Sequence, residues 1–323
     1  MVSNSSPRTG KNLGALCVIG ALCVGLAACG SSGKASLPGA GGGSEAGGSA
    51  GGGVLANAPV ASAAEIGTNT TMAKIRQRGQ LLVGGTSTAP LFALQNPATG
   101  QVEGFDADMA RLLAQYIIGK PNVKRVQTTA KTRETLLQNG TVDTVIATYT
   151  ITAKRAKLVA FAGPYYASGD AILVKKSNSS ITGPKDLNGK NVCTESNSTA
   201  ANDIGKFAPG AKVTLLETND ECLTAVEQGR DDAYVLDQGI LAGDVTRHAD
   251  VQVVGQPFTK EPYGIGLPKN DPAYVTFIND WIKKIESGGQ WATAYKNSIG
   301  KVVTGAPPQP PTLCDVAGSC GKP

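Results

Sequence analysis

The chain has 323 residues, 41% of them hydrophobic and 17% charged, a balance that excludes a wholly disordered protein and suits one large domain or two smaller ones. Thirty Lys and Arg against 25 Asp and Glu give a formal charge of +5. That excess is small and no basic run is interleaved with aromatics, so nothing points to nucleic acid. A single histidine, His248, excludes His-pair metal sites and leaves little for a His-based triad.

Arg8 and Lys11 precede an apolar run from Leu13 to Ala28. The run is short for a membrane span of roughly 20 residues and suits the core of a secretion signal. It ends Leu26-Ala27-Ala28-Cys29-Gly30, which resembles a bacterial lipobox. Residues 1–28 are then a lipoprotein signal peptide and Cys29 is the lipidated first residue of the mature chain. Residues 29–70 read as a flexible Gly/Ser/Ala tether, with Gly41-Gly42-Gly43 and Gly51-Gly52-Gly53 too poor in apolar surface to offset ordering entropy.

Regular elements begin near Thr71. A short helix spans Met72 to Gly79, a buried strand Leu81 to Gly85, and a helix Phe105 to Ile118, with Met109, Leu112, Leu113, Tyr116 and Ile117 at 3–4 spacing. Strands follow at 123–128 and 142–148, with helices at 132–138 and 152–157. The segment from Tyr165 to Lys176 reads as one long strand. Strands at 190–194, 212–216, 233–236 and 251–254 then alternate with helices at 197–207, 220–228 and 238–245. A strand at 263–267, a helix at 271–287 and a helix carrying Trp291 and Tyr295 close the body. Strands alternating with helices predict an α/β fold with parallel sheets covered on both faces. The last twenty residues, 304–323, form a Pro-rich tail.

Of seven cysteines, Cys17 and Cys23 leave with the leader and Cys29 takes the lipid. Cys193, Cys222, Cys314 and Cys320 remain. An even number in an exported chain predicts two disulfides. Three pairings are possible. The favoured one joins Cys193 to Cys222 within the body and Cys314 to Cys320 in the tail. No CxxC spacing occurs, and neither a metal nor a cofactor is called for.

Three stretches hold candidate binding groups. In Thr148-Tyr149-Thr150-Ile151-Thr152-Ala153-Lys154-Arg155 a strand ends, hydroxyls cluster and a helix begins. This is either a carboxylate site of hydroxyls, helix amides and guanidinium or an ordinary helix cap with a solvated Arg. Asp237 ends a strand, where it suits an ammonium group or caps the following helix. Glu195 to Ala200, including Thr199, is a second anion site or a plain polar loop. Arg133 alone reads as a surface helix residue.

The shared order of Gly104-Phe105-Asp106, Leu136-Leu137-Gln138 with Val142-Asp143, Thr150-Ile151-Thr152 with Arg155, Phe161-Ala162 with Pro164-Tyr165-Tyr166, Lys185 to Lys190, Tyr263-Gly264-Ile265 and Gly289 with Trp291 resembles family 3 extracellular solute-binding proteins. These are the receptors of ABC importers for polar amino acids, here of the actinobacterial glutamate-binding lipoprotein type. The resemblance covers about 71–303. It implies a two-lobe periplasmic-binding-protein-like fold of type II with two hinge crossings and a ligand cleft between lobes. Residues 71–168 and 259–303 would form lobe 1, and 169–258 lobe 2.

By the same resemblance, Thr150 and Arg155 hold the α-carboxylate of an amino acid, with help from Thr148 and, from lobe 2, Thr199. Asp237 takes the α-ammonium, and Arg133 takes a side-chain carboxylate. Many members stack an aromatic on the ligand near the position of Thr88; here Thr88 itself stands there. Glu195 departs from the glutamine-receptor subgroup, which has a basic residue at that place. The implied function is a lipid-anchored substrate-binding protein for glutamate or aspartate on the outer face of the cell membrane, not an enzyme. It would act as a monomer, partnered by the permease and ATPase of an importer. The alternatives are a ligand-sensing adaptor for glutamine, asparagine or glutamate, and a cyclohexadienyl-dehydratase-like enzyme on the same scaffold.

Overall fold

The computed structural model describes residues 53–303 and 308–321. The leader, Cys29 and most of the tether lie outside the described residues. From Gly53 the chain is packed, not a loose tether as expected. Val54, Ala61 and Ile66 are buried in the main core, and the Ala61 amide donates to the Tyr116 carbonyl at 2.8 Å. Ser62 and Glu65 cap α1 (Ala63–Ile66) reciprocally. These few apolar side chains suffice because helix surface is there to receive them, a partner that local composition does not reveal.

The first group of elements is α2 (Thr71–Arg78), β1 (Leu81–Gly85), β2 (Thr88–Ala89), β3 (Ala93–Gln95), β4 (Val102–Glu103), α3 (Phe105–Ile118), β5 (Val123–Gln127), α4 (Arg133–Gln138), β6 (Thr144–Val145), α5 (Ala153–Ala156) and β7 (Ala160–Ser168). The second is β8 (Asp170–Lys175), β9 (Asn191–Glu195), α6 (Ala200–Phe207), β10 (Lys212–Leu216), α7 (Asn219–Glu227), β11 (Ala233–Asp237), α8 (Gln238–Val245) and β12 (Val251–Val254). The chain then returns to the first group with β13 (Glu261–Leu267), α9 (Pro272–Ser287) and α10 (Gln290–Asn297).

Two five-stranded sheets result, in the orders β5-β1-β6-β13-β7 and β10-β9-β11-β8-β12. Each is the centre of one lobe of a two-lobe α/β fold. The sheets are mixed, which corrects the expectation of parallel sheets. β1 runs parallel to β5 and β6, but β13 is antiparallel to β6 and β7. Likewise β9 is parallel to β10 and β11, while β8 is antiparallel to β11 and β12. The antiparallel members β7, β8 and β13 flank the two places where the chain passes between sheets. The single strand expected over Tyr165 to Lys176 is in fact two. Ser168 ends a strand of the first sheet and Asp170 starts one of the second, with Gly169 between them. A Cβ on Gly169 would lie 2.4 Å from the Thr259 carbonyl oxygen of the returning segment, so the two crossings run against each other. The small antiparallel sheet β2-β3-β4 was not anticipated, because its strands are too short to carry a period.

Capping follows local chemistry. The Thr218 hydroxyl and Glu221 carboxylate box the start of α7, and Asp271 with Pro272 starts α9. The main core holds Trp281, Trp291, Tyr165, Phe105 and Phe92, all essentially inaccessible. Cys193 is bonded to Cys222 and Cys314 to Cys320. The first disulfide ties β9 to α7 across 29 residues. In the tail ring, the Cys314 amide donates to the Gly163 carbonyl and the Cys320 amide to that of Phe161. Both acceptors lie on β7, the outermost strand of its sheet, so the ring covers an otherwise open edge.

Candidate functional site

Between the lobes, the ends of β1, β5 and β6 face the loops after β9 and β10. A closed space of about 30 Å³ lies there, lined by Thr86, Thr88, Arg133, Thr148, Glu195 and Glu217 among others. It has room for about two water molecules, so an amino acid enters only if the lobes part.

Arg133 begins α4 and is buried at 5% exposure. Its Nη1 donates to the Ala147 carbonyl at 3.0 Å and its guanidinium carbon lies 4.0 Å from the centre of the Tyr149 ring. Its Nε has no partner. The surface reading that helix spacing alone suggested is therefore wrong: α4 turns this residue inward. Glu195, at the end of β9, lines the same space from the other lobe. Burial pushes its carboxyl up to about 8 against the opposing pull of Arg133.

Thr148 holds a left-handed backbone, φ 43°, an uncommon conformation for a β-branched residue. Its amide donates to Asp106 Oδ2 at 2.7 Å, while Asp106 Oδ1 accepts from the Tyr165 hydroxyl at 2.7 Å. Asp106 thus fixes the strand end from inside the lobe; burial raises it to about 6. Sequence reading recorded Asp106 only as part of a motif and missed this positioning role.

Arg155 and Thr199 lie elsewhere. They line a neighbouring cavity of about 260 Å³ with Lys131, Glu134, Asn197 and Asn202. Arg155 Nη1 donates to the Thr150 carbonyl at 2.9 Å, Nη2 to the Asn197 carbonyl at 2.9 Å, and Nε stands 3.6 Å from Glu134. Burial, with repulsion from Arg133, lowers Arg155 to about 10. Thr152 caps α5 by accepting from the Arg155 amide. Thr150 is buried and pairs antiparallel with Tyr263.

Asp237 ends β11, buried at 6% exposure, and its Oδ1 has no partner. The Tyr263 hydroxyl faces it without completing a hydrogen bond of normal geometry. Burial and Glu261 push it up to about 7. Asp237 is not a side-chain cap for α8. The structure thus brings Thr88, Thr148 and Arg133 together, sets Arg155 and Thr199 beside them, and leaves Asp237 in neither cavity.

The lobes meet closely. Lys131 pairs with Glu217 at 3.0 Å, and Asn197 Nδ2 donates to the Ala130 carbonyl at 2.9 Å. Phe92 packs over Gly239, where an added Cβ would come within 2.8 Å of the ring. At Gly243 it would meet Pro90 at 2.6 Å. Phe92 also packs edge-on to Tyr166 and Tyr263. Its role at the lobe contact was not legible, since an isolated Phe in a loop carries no pattern.

Residues 81–301 match the model of the bacterial extracellular solute-binding proteins, family 3. The chain belongs to this family. The ABC transporter glutamine-binding protein GlnH of Bacillus subtilis is 38% identical over 241 residues, 73% of this chain and 87% of that one. The glutamate-binding protein GluB of Corynebacterium glutamicum is 33% identical over 237 residues, 70% of this chain and 80% of that one. Among solved structures, the ancestral amino-acid-binding protein AncCDT-1, a precursor of cyclohexadienyl dehydratase, superposes with a TM-score of 0.66 at 35% identity, covering 71% of this chain and all of the other. Among the described residues, no helix is long and apolar enough to cross a membrane. Family membership accounts for the architecture: two sheets joined by two crossings, with strand ends turned to a common cleft.

Proposed function

We propose that this chain is the extracellular receptor of an ABC importer for a polar amino acid, with glutamine preferred, anchored by lipid at Cys29. The observation that carries the side-chain assignment is the pair of Arg133 and Glu195 on opposite walls of one cavity. A carboxamide offers a carbonyl to the guanidinium and an NH2 to the carboxylate, satisfying both at once. A glutamate side chain would serve Arg133 but place like charge against an ionised Glu195. At about 4 Å and an effective dielectric near 20 that repulsion is about 4 kcal/mol. The raised Glu195 keeps the glutamate reading as the second one: when protonated, its hydroxyl can donate to a ligand carboxylate. The family resemblance and Arg133 point to glutamate or aspartate; the facing acid shifts that reading. The 38% identity to a glutamine-binding protein supports the shift, and the 33% identity to a glutamate-binding one supports the alternative.

For the α-groups, Asp237 receives the ammonium, while Arg155 with Thr150 and Thr199 receives the carboxylate. Arg155 then exchanges the Asn197 carbonyl for the ligand as the lobes re-close, and Thr88 and Thr148 complete the wall. The role is capture and delivery, with no bond broken, so incubation with prephenate yields no aromatic product. A thermal-shift screen over the twenty amino acids tests the assignment. A ligand at 100 times its Kd adds about 2.7 kcal/mol. At pH 9, where Glu195 is ionised, glutamine is expected to give the largest shift, and Arg133→Ala to remove it. A full glutamine shift retained in Arg133→Ala, or shifts from apolar amino acids only, overturns the reading.

A further inference from the structure

Asp170, Asp203 and Glu261 bring one carboxylate oxygen each to within 4.8 Å of one another, with no nitrogen or sulfur donor in the group. They come from three different places. Asp170 opens β8 just past the first crossing, Glu261 opens β13 at the second crossing, and Asp203 lies on α6. The site is therefore outside both cavities described above. Asp170 is fully buried and neither of its carboxylate oxygens has a hydrogen-bond partner; Glu261, at 2% exposure, has an unpartnered Oε2. Two buried acids aimed at one point and left without donors are costly unless something positive meets them.

We propose that these three carboxylates form a calcium site that pins the two crossing segments to lobe 2. Oxygens at 2.3–2.6 Å from a common Ca2+ can lie up to about 5 Å apart, whereas the shorter bonds of Mg2+ demand a tighter group. All-oxygen, carboxylate-rich donors are those of a hard cation. The Thr259 hydroxyl, which donates to Glu261 Oε1 at 3.0 Å and accepts from the Asp170 amide at 2.8 Å, stands at the rim and fixes two of the three ligands. Asp237, the cross-strand partner of Asp170, adds negative charge without being a ligand. One ammonium competes: Lys206 Nζ sits 2.5 Å from Asp203, but its side chain is 70% exposed and free to swing out. Protons compete too, since burial and Asp237 raise Asp170 to about 9, so the assay is run above that pH.

The test is calorimetric and thermal titration of the EDTA-stripped mature protein with CaCl2, in the absence of any amino acid. One site per chain is expected, with the unfolding midpoint raised by roughly 5 °C at 100 times the Kd. MgCl2 is expected to bind at least tenfold more weakly. Asp203→Asn, at a partly accessible helix position, removes the site without touching the buried acids, and Asp170→Asn removes it from within. No heat and no midpoint shift at 10 mM CaCl2, or binding that survives Asp203→Asn unchanged, overturns the proposal. Asp237 adjoins both sites, so the calcium titration is run without amino acid and the amino-acid screen in EDTA, and either reading can fail while the other stands.

Discussion

Glu195 is the residue on which selectivity turns. Burial holds its carboxyl near 8 in the free protein, above the ordinary carboxylate range, so it is largely protonated at pH 6 and ionised at pH 9. An ionised Glu195 accepts from a carboxamide, and a protonated one donates to a carboxylate. The ratio of glutamine to glutamate affinity is therefore expected to rise between pH 6 and pH 9, by about tenfold for one pKa unit of differential interaction. Taking the ratio cancels the α-group contributions common to both ligands. In Glu195→Gln calorimetry at the two pH values should give a flat ratio; a ratio that still climbs assigns the titration to another group. Arg133 and Glu195 were both visible in the sequence, but not their pairing. They lie 62 positions apart in two lobes, and only the fold brings them to one cavity.

At the scale of elements, α8 carries the lobe contact. Gly239 and Gly243 sit one turn apart on it and receive Phe92 and Pro90 of the other lobe. A methyl at Gly239 forces Phe92 to move, an overpacking cost of about 1–3 kcal/mol. That cost falls on the closed state alone. Gly239→Ala is thus expected to weaken amino-acid binding by roughly 5- to 150-fold with little change in the unfolding midpoint of the ligand-free protein. Equal affinity by calorimetry would show that this contact does not govern closure. The amphipathic helices α3 and α9 were legible from their periodicity, because a 3.6-residue stripe facing a core is written in the sequence itself. Strand direction was not. The βα alternation reads the same whether β8 and β13 run parallel or antiparallel to their neighbours, and the short Ser168-Gly169-Asp170 break is a polar signal that the single-strand reading passed over between two apolar runs.

For the whole molecule, two cross-links act at different places. The Cys193–Cys222 bond closes 29 residues and is worth roughly 3.5 kcal/mol by chain entropy. Cys193→Ala with Cys222→Ala should lower the unfolding free energy by about that amount in denaturant titration, without changing ligand stoichiometry. The tail ring was legible as a ring, yet its seat on the edge of β7 was not, since nothing in a Pro-rich segment says which strand it covers. The order of the family motifs did reveal the two-lobe plan, because their sequence along the chain is that of the family, although several of them, such as Leu136-Leu137-Gln138 in α4 and Trp291 in α10, lie within helices rather than at strand ends or crossings. The most direct test of the central claim is calorimetric titration of the wild-type mature protein with glutamine. One site per chain, with a glutamate affinity at least threefold weaker at pH 9, is the result expected. No heat from glutamine, glutamate, asparagine or aspartate would contradict a cleft built to hold a polar amino acid between Arg133 and Glu195.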